Sequence, residues 1–245
     1  MPILAAVILG LQIACGVHVV KTGRNIYWLV IIIMAPLLGC VIYFVAEIMP
    51  ELTGSRTARS AASRAAKFVD PDRELRRLVE ALETADTIDN RRALADEYLR
   101  RNDAQSALKL YESSLVGMHR DDPTLLLGLA RARFSLHQFA GCVAALDALR
   151  AANPDYQSPD AHLLYARGLE GQERWQDARR EYDAVSRYYP GAEAKCRYAL
   201  ILKRLGETEK ARTIFDEVAR ALERAGKSYV REQREWYDLA RSNLS

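Results

Sequence analysis

Residues 93–115, ALADEYLRRNDAQSALKLYESSL, recur in altered form three more times. The other copies are LARARFSLHQFAGCVAALDALRAANP (129–154), YARGLEGQERWQDARREYDAVSRYYP (165–190) and YALILKRLGETEKARTIFDEVA (198–219). Aligned, they place a small residue at Ala95, Ala130, Ala166 and Ala199, offset by 35, 36 and 33 positions. A second small residue falls at Ala107, Cys142, Ala178 and Ala211, and a bulky one four positions later at Tyr111, Leu146, Tyr182 and Phe215. Small residues at matched positions let two helices cross closely, and the bulky residue fills the wedge to the next pair. One helix pair cannot bury its apolar face alone, so neighbouring copies must stack to make a core.

These residues resemble the tetratricopeptide (TPR) pattern, a helix–turn–helix unit of about 34 residues. The pattern from Asp70-Pro71 onward is helical throughout, with no sustained strand-like alternation. The expected fold is all-α, a right-handed TPR solenoid over 71–245, with 73–82 as a leading helix and 229–244 as a capping helix. The resemblance implies that the first helix of each unit lines a concave groove for a peptide or protein segment. Mapped onto this chain, the groove set is Arg92, Asp96, Leu99 and Arg100, then Leu127, Arg131 and Phe134, then Leu163, Arg167 and Glu170, then Leu200, Lys203 and Arg204. Arg131 and Arg167 directly follow their crossing alanines and should stack as neighbours, with Lys203 extending the strip obliquely. A basic strip beside Leu127, Phe134 and Leu163 suits an acidic or C-terminal carboxylate segment. The asparagine that the carboxylate-clamp branch of the family carries where Arg131 and Arg167 stand is absent here.

The front of the chain is a different material. Residues 26–46 carry no charged side chain, and 21 residues of helix at roughly 1.5 Å each cover a hydrocarbon core of about 30 Å. Residues 2–20 form another apolar run, and 21–25 connect the two. The expectation is a transmembrane hairpin over 1–50, with helices at about 3–20 and 26–48 and a kink at Pro36. Ala6, Gly10 and Ala14 facing Ala35 and Gly39 would let the helices approach. Gln12 is expected to make an interhelical hydrogen bond and His18 to sit at the interface. Trp28, Pro36, Gly39 and Tyr43 in WLVIIIMAPLLGCVIY resemble the two-helix N-terminal region of bacterial cardiolipin synthases and related phospholipase D-nuclease proteins. That resemblance implies an accessory role in phospholipid synthesis or envelope assembly. The paired H-x-K-x4-D motifs of those enzymes do not occur here.

The net charge of +3 is unevenly distributed. Residues 1–50 carry +1, the segment 51–69 carries +3 and the remainder −1, so a nearly neutral repeat region argues against nucleic acid as partner. Arg56, Arg59, Arg64 and Lys67 make 51–70 a basic juxtamembrane linker, poised to meet anionic lipid. Against Lys21 and Arg24 in the connector, they place both termini and the repeats in the cytoplasm of a bacterial inner membrane; the reverse orientation would put the repeats in the periplasm. Four cysteines without metal-ligand spacing, and no phosphate-loop, G-x-S-x-G or H-E-x-x-H motif, leave no expected catalytic residue, cofactor or metal. The expected function is a membrane-anchored, non-catalytic scaffold that binds protein partners.

Overall fold

The computed structural model describes residues 2–22, 25, 27–44, 47 and 70–244. It comprises two units, Met1–Glu74 and Leu75–Ser245. Among the described residues every regular element is helical. The basic linker expected over 51–70 lies outside the described residues except for Asp70.

In the first unit, α1 runs Pro2–Thr22, as expected. The second segment is not one helix over 26–48. It is broken into α2 (Tyr27–Met34) and α3 (Pro36–Tyr43), with Ala35 between them at φ −131°, ψ 81°. A residue before proline is pushed out of the helical region, and Pro36 has no N–H to give the carbonyl of Ile32. That orphaned carbonyl accepts instead from Gln12 Nε2 of α1, at 2.8 Å. The expected interhelical bond of Gln12 therefore has a definite acceptor, created by the proline itself.

The packing face of α1 differs from the expected one. Cys15 and Val19 are buried against Ile32, Cys40 and Tyr43, whereas Gly10 and Ala14 are exposed. Gly39 does mark a close approach, but to the preceding helix: a Cβ there would lie 2.5 Å from the Ile31 carbonyl oxygen. His18 Nδ1 is 2.9 Å from the Tyr43 hydroxyl, Tyr43 packs edge-on to Trp28, and Trp28 Nε1 donates to Glu47 at 3.1 Å. Among the described residues no helix is both long and apolar enough to cross a membrane. The break at Ala35 leaves two eight-residue helices.

The second unit opens with α4 (Arg73–Thr84), followed by four helix pairs. These are α5 (Ile88–Arg100) with α6 (Ala104–Ser114), α7 (Pro123–Ser135) with α8 (Phe139–Ala152), α9 (Pro159–Gly171) with α10 (Trp175–Val185), and α11 (Glu193–Arg204) with α12 (Thr208–Ala225). Helix starts are written in the chain. Thr87, Asp103, Asp122 and Ser158 each accept from a backbone N–H in the first turn, and Pro123 and Pro159 occupy the first helical position, where no N–H is missed. The crossing alanines Ala95, Ala130, Ala166 and Ala199 are fully buried, as are Ala107, Cys142, Ala178 and Ala211 facing them. Tyr111, Leu146, Tyr182 and Phe215 are buried with them.

Each pair turns through one residue of positive φ: Asn102 (61°), His137 (57°), Glu173 (57°) and Gly206 (85°). The left-handed conformation is cheap for glycine, tolerable for asparagine and costly for glutamate. Exposed Glu173 has no stacking contact to offset that cost, whereas His137 lies edge-on to Phe139. Glu173→Gly is therefore expected to raise stability by about 1 kcal/mol. A chemical-denaturation midpoint unchanged or lowered by the substitution would refute this.

The expected single cap over 229–244 is two helices, α13 (Lys227–Glu232) and α14 (Arg234–Ser242). At the break, Gln233 Oε1 accepts from the Ala192 N–H at 3.3 Å, at a helix start whose own residue offers no side-chain cap. Ala240 of α14 is buried, and Trp236, Tyr237 and Leu239 pack on the core of the fourth pair.

Candidate functional site

The first helices of the first three pairs, α5, α7 and α9, face one groove of about 580 Å³. On α9 its lining is Asp160, Leu163, Leu164 and Arg167, the i, i+3, i+4, i+7 stripe of one helical face. Arg100, Arg131, Phe134, Leu163 and Arg167, all expected here, meet around it. The guanidinium of Arg167 lies over the Phe134 ring at 4.7 Å, and Phe134 rests edge-on against Phe139 at 5.4 Å. A cation held on a ring face loses little freedom when a ligand arrives.

Other expected residues lie elsewhere. Leu127 is buried in the core of the second pair and lines no part of the groove. Arg92 pairs with Asp89 at 3.0 Å and reaches Thr124 at 3.3 Å. Lys203 is drawn to the end of the chain, donating to Asn243 Oδ1 at 2.8 Å, so it does not extend the strip. Arg204 stacks on Trp175 at 3.8 Å. Glu170 accepts from the hydroxyl of Tyr182.

The groove is not a uniformly basic strip. Asp96, Asp160 and Glu193 line it alongside Arg100, Arg131 and Arg167. Two of these carboxylates are spent internally, however. Asp96 accepts from the Tyr111 hydroxyl at 2.5 Å, and Glu193 holds Arg197 at 2.8 Å and Arg167 at 3.5 Å, while Asp160 stands near Tyr189, whose phenol is pushed up by burial and by that carboxylate. Arg100 is paired with Glu97 on its own helix. Arg131 makes no ion pair among the described residues, and the buried Nε of Arg167 has no acceptor. Open hydrogen-bonding capacity in this groove is therefore cationic.

Nothing in the described residues resembles a catalytic constellation. Burial pushes the thiols of Cys142 and Cys196 up to about 12, so neither is a thiolate nucleophile at neutral pH. Among the described residues no group of three histidine, cysteine or carboxylate side chains could hold a metal ion.

Two tetratricopeptide-repeat family models match the chain, over residues 98–168 and 163–226. Residues 98–226 are tetratricopeptide repeats. Several solved structures share the fold. MamA of Desulfovibrio magneticus RS-1, from residue 41 to its end, is 17% identical with a TM-score of 0.58, over 69% of this chain and 94% of that one. The thermophilic TPR protein TTC0263 of Thermus thermophilus is 18% identical with a TM-score of 0.54, over 74% of this chain and 95% of its own. YrrB, described as a TPR protein with an unusual peptide-binding site, is 16% identical with a TM-score of 0.50, over 68% of this chain and 88% of that one. No curated protein sequence matches the chain. Neither TPR match reaches residues 3–50, and the comparisons lend the cardiolipin-synthase likeness of that segment no support.

Five groove residues were missed by sequence reasoning: Ser135 and Leu164, neighbours of expected Phe134 and Leu163, and Asp160, Tyr189 and Glu193, which stand at the starts of helices or just before them. Asp160 carried one usable signal, since it precedes Arg167 by seven positions on the same face.

Proposed function

We infer that this chain is a non-catalytic adaptor whose TPR groove receives a carboxylate-bearing segment of another protein, while its N-terminal unit anchors it in a bacterial inner membrane with the repeats on the cytoplasmic side. The observation that carries the groove reading is the mismatch in open valence. Exposed Arg131 makes no ion pair among the described residues, whereas Asp96 and Glu193 of the lining are already engaged. An acidic side chain or chain terminus would supply the missing acceptor, and Phe134 and Leu163 offer an apolar contact beside it. The peptide-binding description of YrrB, a protein of the same fold, is consistent with this use of the groove.

The anchor reading rests on apolar side chains directed outward from the first unit. Leu9, Ile13, Val17 and Val20 on α1, and Val30, Ile33, Met34, Leu38, Val41 and Ile42 on α2 and α3, are all exposed. An apolar surface of this kind is unfavourable in water and matches lipid. Three polar side chains within its helices, Gln12, His18 and Trp28, each have a partner inside the unit.

One preparation tests both halves. The full chain should stay in the membrane pellet through an alkaline carbonate wash, and detergent should release it able to bind acidic peptides in a polarisation assay. Arg131→Glu with Arg167→Glu should weaken the tightest of these peptides by about 100-fold, since each charged hydrogen bond is worth roughly 1.5–3 kcal/mol. Equal binding by wild type and variant would end the groove reading, and release by carbonate would end the anchor.

A further inference from the structure

A second cavity, of about 420 Å³, lies behind the groove. On α9 the groove takes positions 160, 163, 164 and 167, while Ala161, His162 and Tyr165 on the opposite side line this cavity. Its floor is apolar, made by Leu146 and Leu149 of α8 with Ala161. At its rim stands Arg150, the one charged residue in the lining.

Arg150 is positioned but scarcely engaged. Its guanidinium lies over the Tyr165 ring at 4.7 Å. Its nearest carboxylate oxygen is Glu181 Oε2 at 3.7 Å, beyond hydrogen-bond reach, and that same oxygen is 2.7 Å from His162 Nε2. The other ring nitrogen of His162 meets the Tyr188 hydroxyl. Neither nearby carboxylate is among the lining residues: Glu181 is bonded to His162, and Asp147 acts on Tyr165, helping burial to push that phenol up. The hydrogen bond with His162 also holds the Glu181 carboxyl below its ordinary range, so that carboxylate remains a charged support for the wall at neutral pH. The lining thus combines an apolar floor, three tyrosines, the uncharged Gln157 and Ser158, His162 with both ring nitrogens engaged, and a guanidinium with unspent donors.

The geometry points to a second binding site here, distinct from the groove, for a compact apolar group bearing a carboxylate, the apolar part seated on Leu146, Leu149 and Ala161 and the carboxylate on Arg150. The volume lies within the roughly 300–1,000 Å³ usual for ligand sites. Arg150 needs no reorganisation to serve, because Tyr165 already holds it at the rim, and a planar guanidinium matches a carboxylate with two parallel bonds. Two sources carry this chemistry: a free small carboxylic acid, or the carboxy-terminal residue of a partner chain.

The test is titration of the detergent-solubilised full chain with N-acetyl-leucine, N-acetyl-leucinamide and two heptapeptides ending in leucine, one with a free carboxylate and one amidated. Binding is read by calorimetry and by methyl resonances of Leu146, Leu149 and Ala161. The free acids should bind at least tenfold more tightly than their amides and shift the methyl resonances of those three residues. Arg150→Gln, at a side chain already half exposed, should keep the thermal midpoint and lose at least tenfold in affinity for the acids. Preference for the peptide assigns the site to a chain end, and preference for the free acid assigns it to a small molecule. Equal binding of acid and amide, indifference to Arg150→Gln, or shifts confined to groove residues would overturn the assignment.

Discussion

Tyr182→Ala is expected to lower the thermal midpoint by about 10 °C and to strip amide-exchange protection from the third and fourth helix pairs first. Tyr182 is fully buried in α10, at the junction of the third and fourth units. Truncating a buried aromatic costs roughly 3–5 kcal/mol, against a total of about 5–15 kcal/mol for a folded domain. In a stacked array the loss is felt at one interface rather than shared evenly, which is why the damage should be local. Tyr182→Phe separates the ring from its hydroxyl, which donates to Glu170. Burial, together with that carboxylate, pushes the phenol well above its ordinary range, so it remains a donor throughout the neutral region. The phenylalanine variant should therefore lose only about 1 kcal/mol. A midpoint for the alanine variant within about 2 °C of wild type, or uniform loss of protection along the array, would refute the local-wedge account.

The second large effect concerns Gly128, where the usual rule reverses. Glycine inside a helix ordinarily gains about 1 kcal/mol on conversion to alanine. Here a Cβ on Gly128 of α7 would lie 2.3 Å from the Tyr111 ring of α6, so the substitution must displace a buried tyrosine whose hydroxyl is bound to Asp96. Gly128→Ala should cost about 2 kcal/mol and Gly128→Leu about 3 kcal/mol or more. The next junction offers a cure. Two positions before the crossing alanine, Gly128 corresponds to Leu164, and Tyr111 corresponds to Leu146, so the chain already accommodates a leucine pair at the equivalent positions, both buried in one core. Tyr111→Leu alone should leave a cavity and cost about 2–3 kcal/mol. Combined with Gly128→Leu it should be more stable than either single variant, with a coupling of about 2 kcal/mol or more in urea melts. Simple additivity of the two losses would show that the positions do not share a wedge.

The repeat packing was legible because one residue type at one offset decides each contact. Ala95, Ala130, Ala166 and Ala199 all reach the same buried crossing, whatever surrounds them. The turns were only partly legible: Asn102, His137 and Gly206 are residue types that tolerate the left-handed conformation, but Glu173 at the equivalent position is not. In the groove, Arg131 and Phe134 on α7 and Arg167 on α9 could be placed by their register within the repeat. The partners that neutralise part of the groove could not, since Glu193 begins a helix of the following unit and Tyr189 belongs to the connection before it. Lys203 was misplaced for a similar reason: the last helix folds back to it, and its own spacing says nothing of that. In the first unit Pro36 announced an interruption. Small residues signal that something can come near, but Gly10, Ala14 and Gly39 do not say what, and two of the three proved to face outward.

The bond from Gln12 to the Ile32 carbonyl has a further effect on the first unit. Apolar helices in an apolar medium can slide past one another with little change in contact energy, because one greasy surface is much like the next. A lone amide aimed at a lone unclaimed oxygen removes that freedom. Displacing α1 by one turn would carry the donor about 5.4 Å from its acceptor and strand both. The proline that interrupts one helix thus fixes the vertical register of the other.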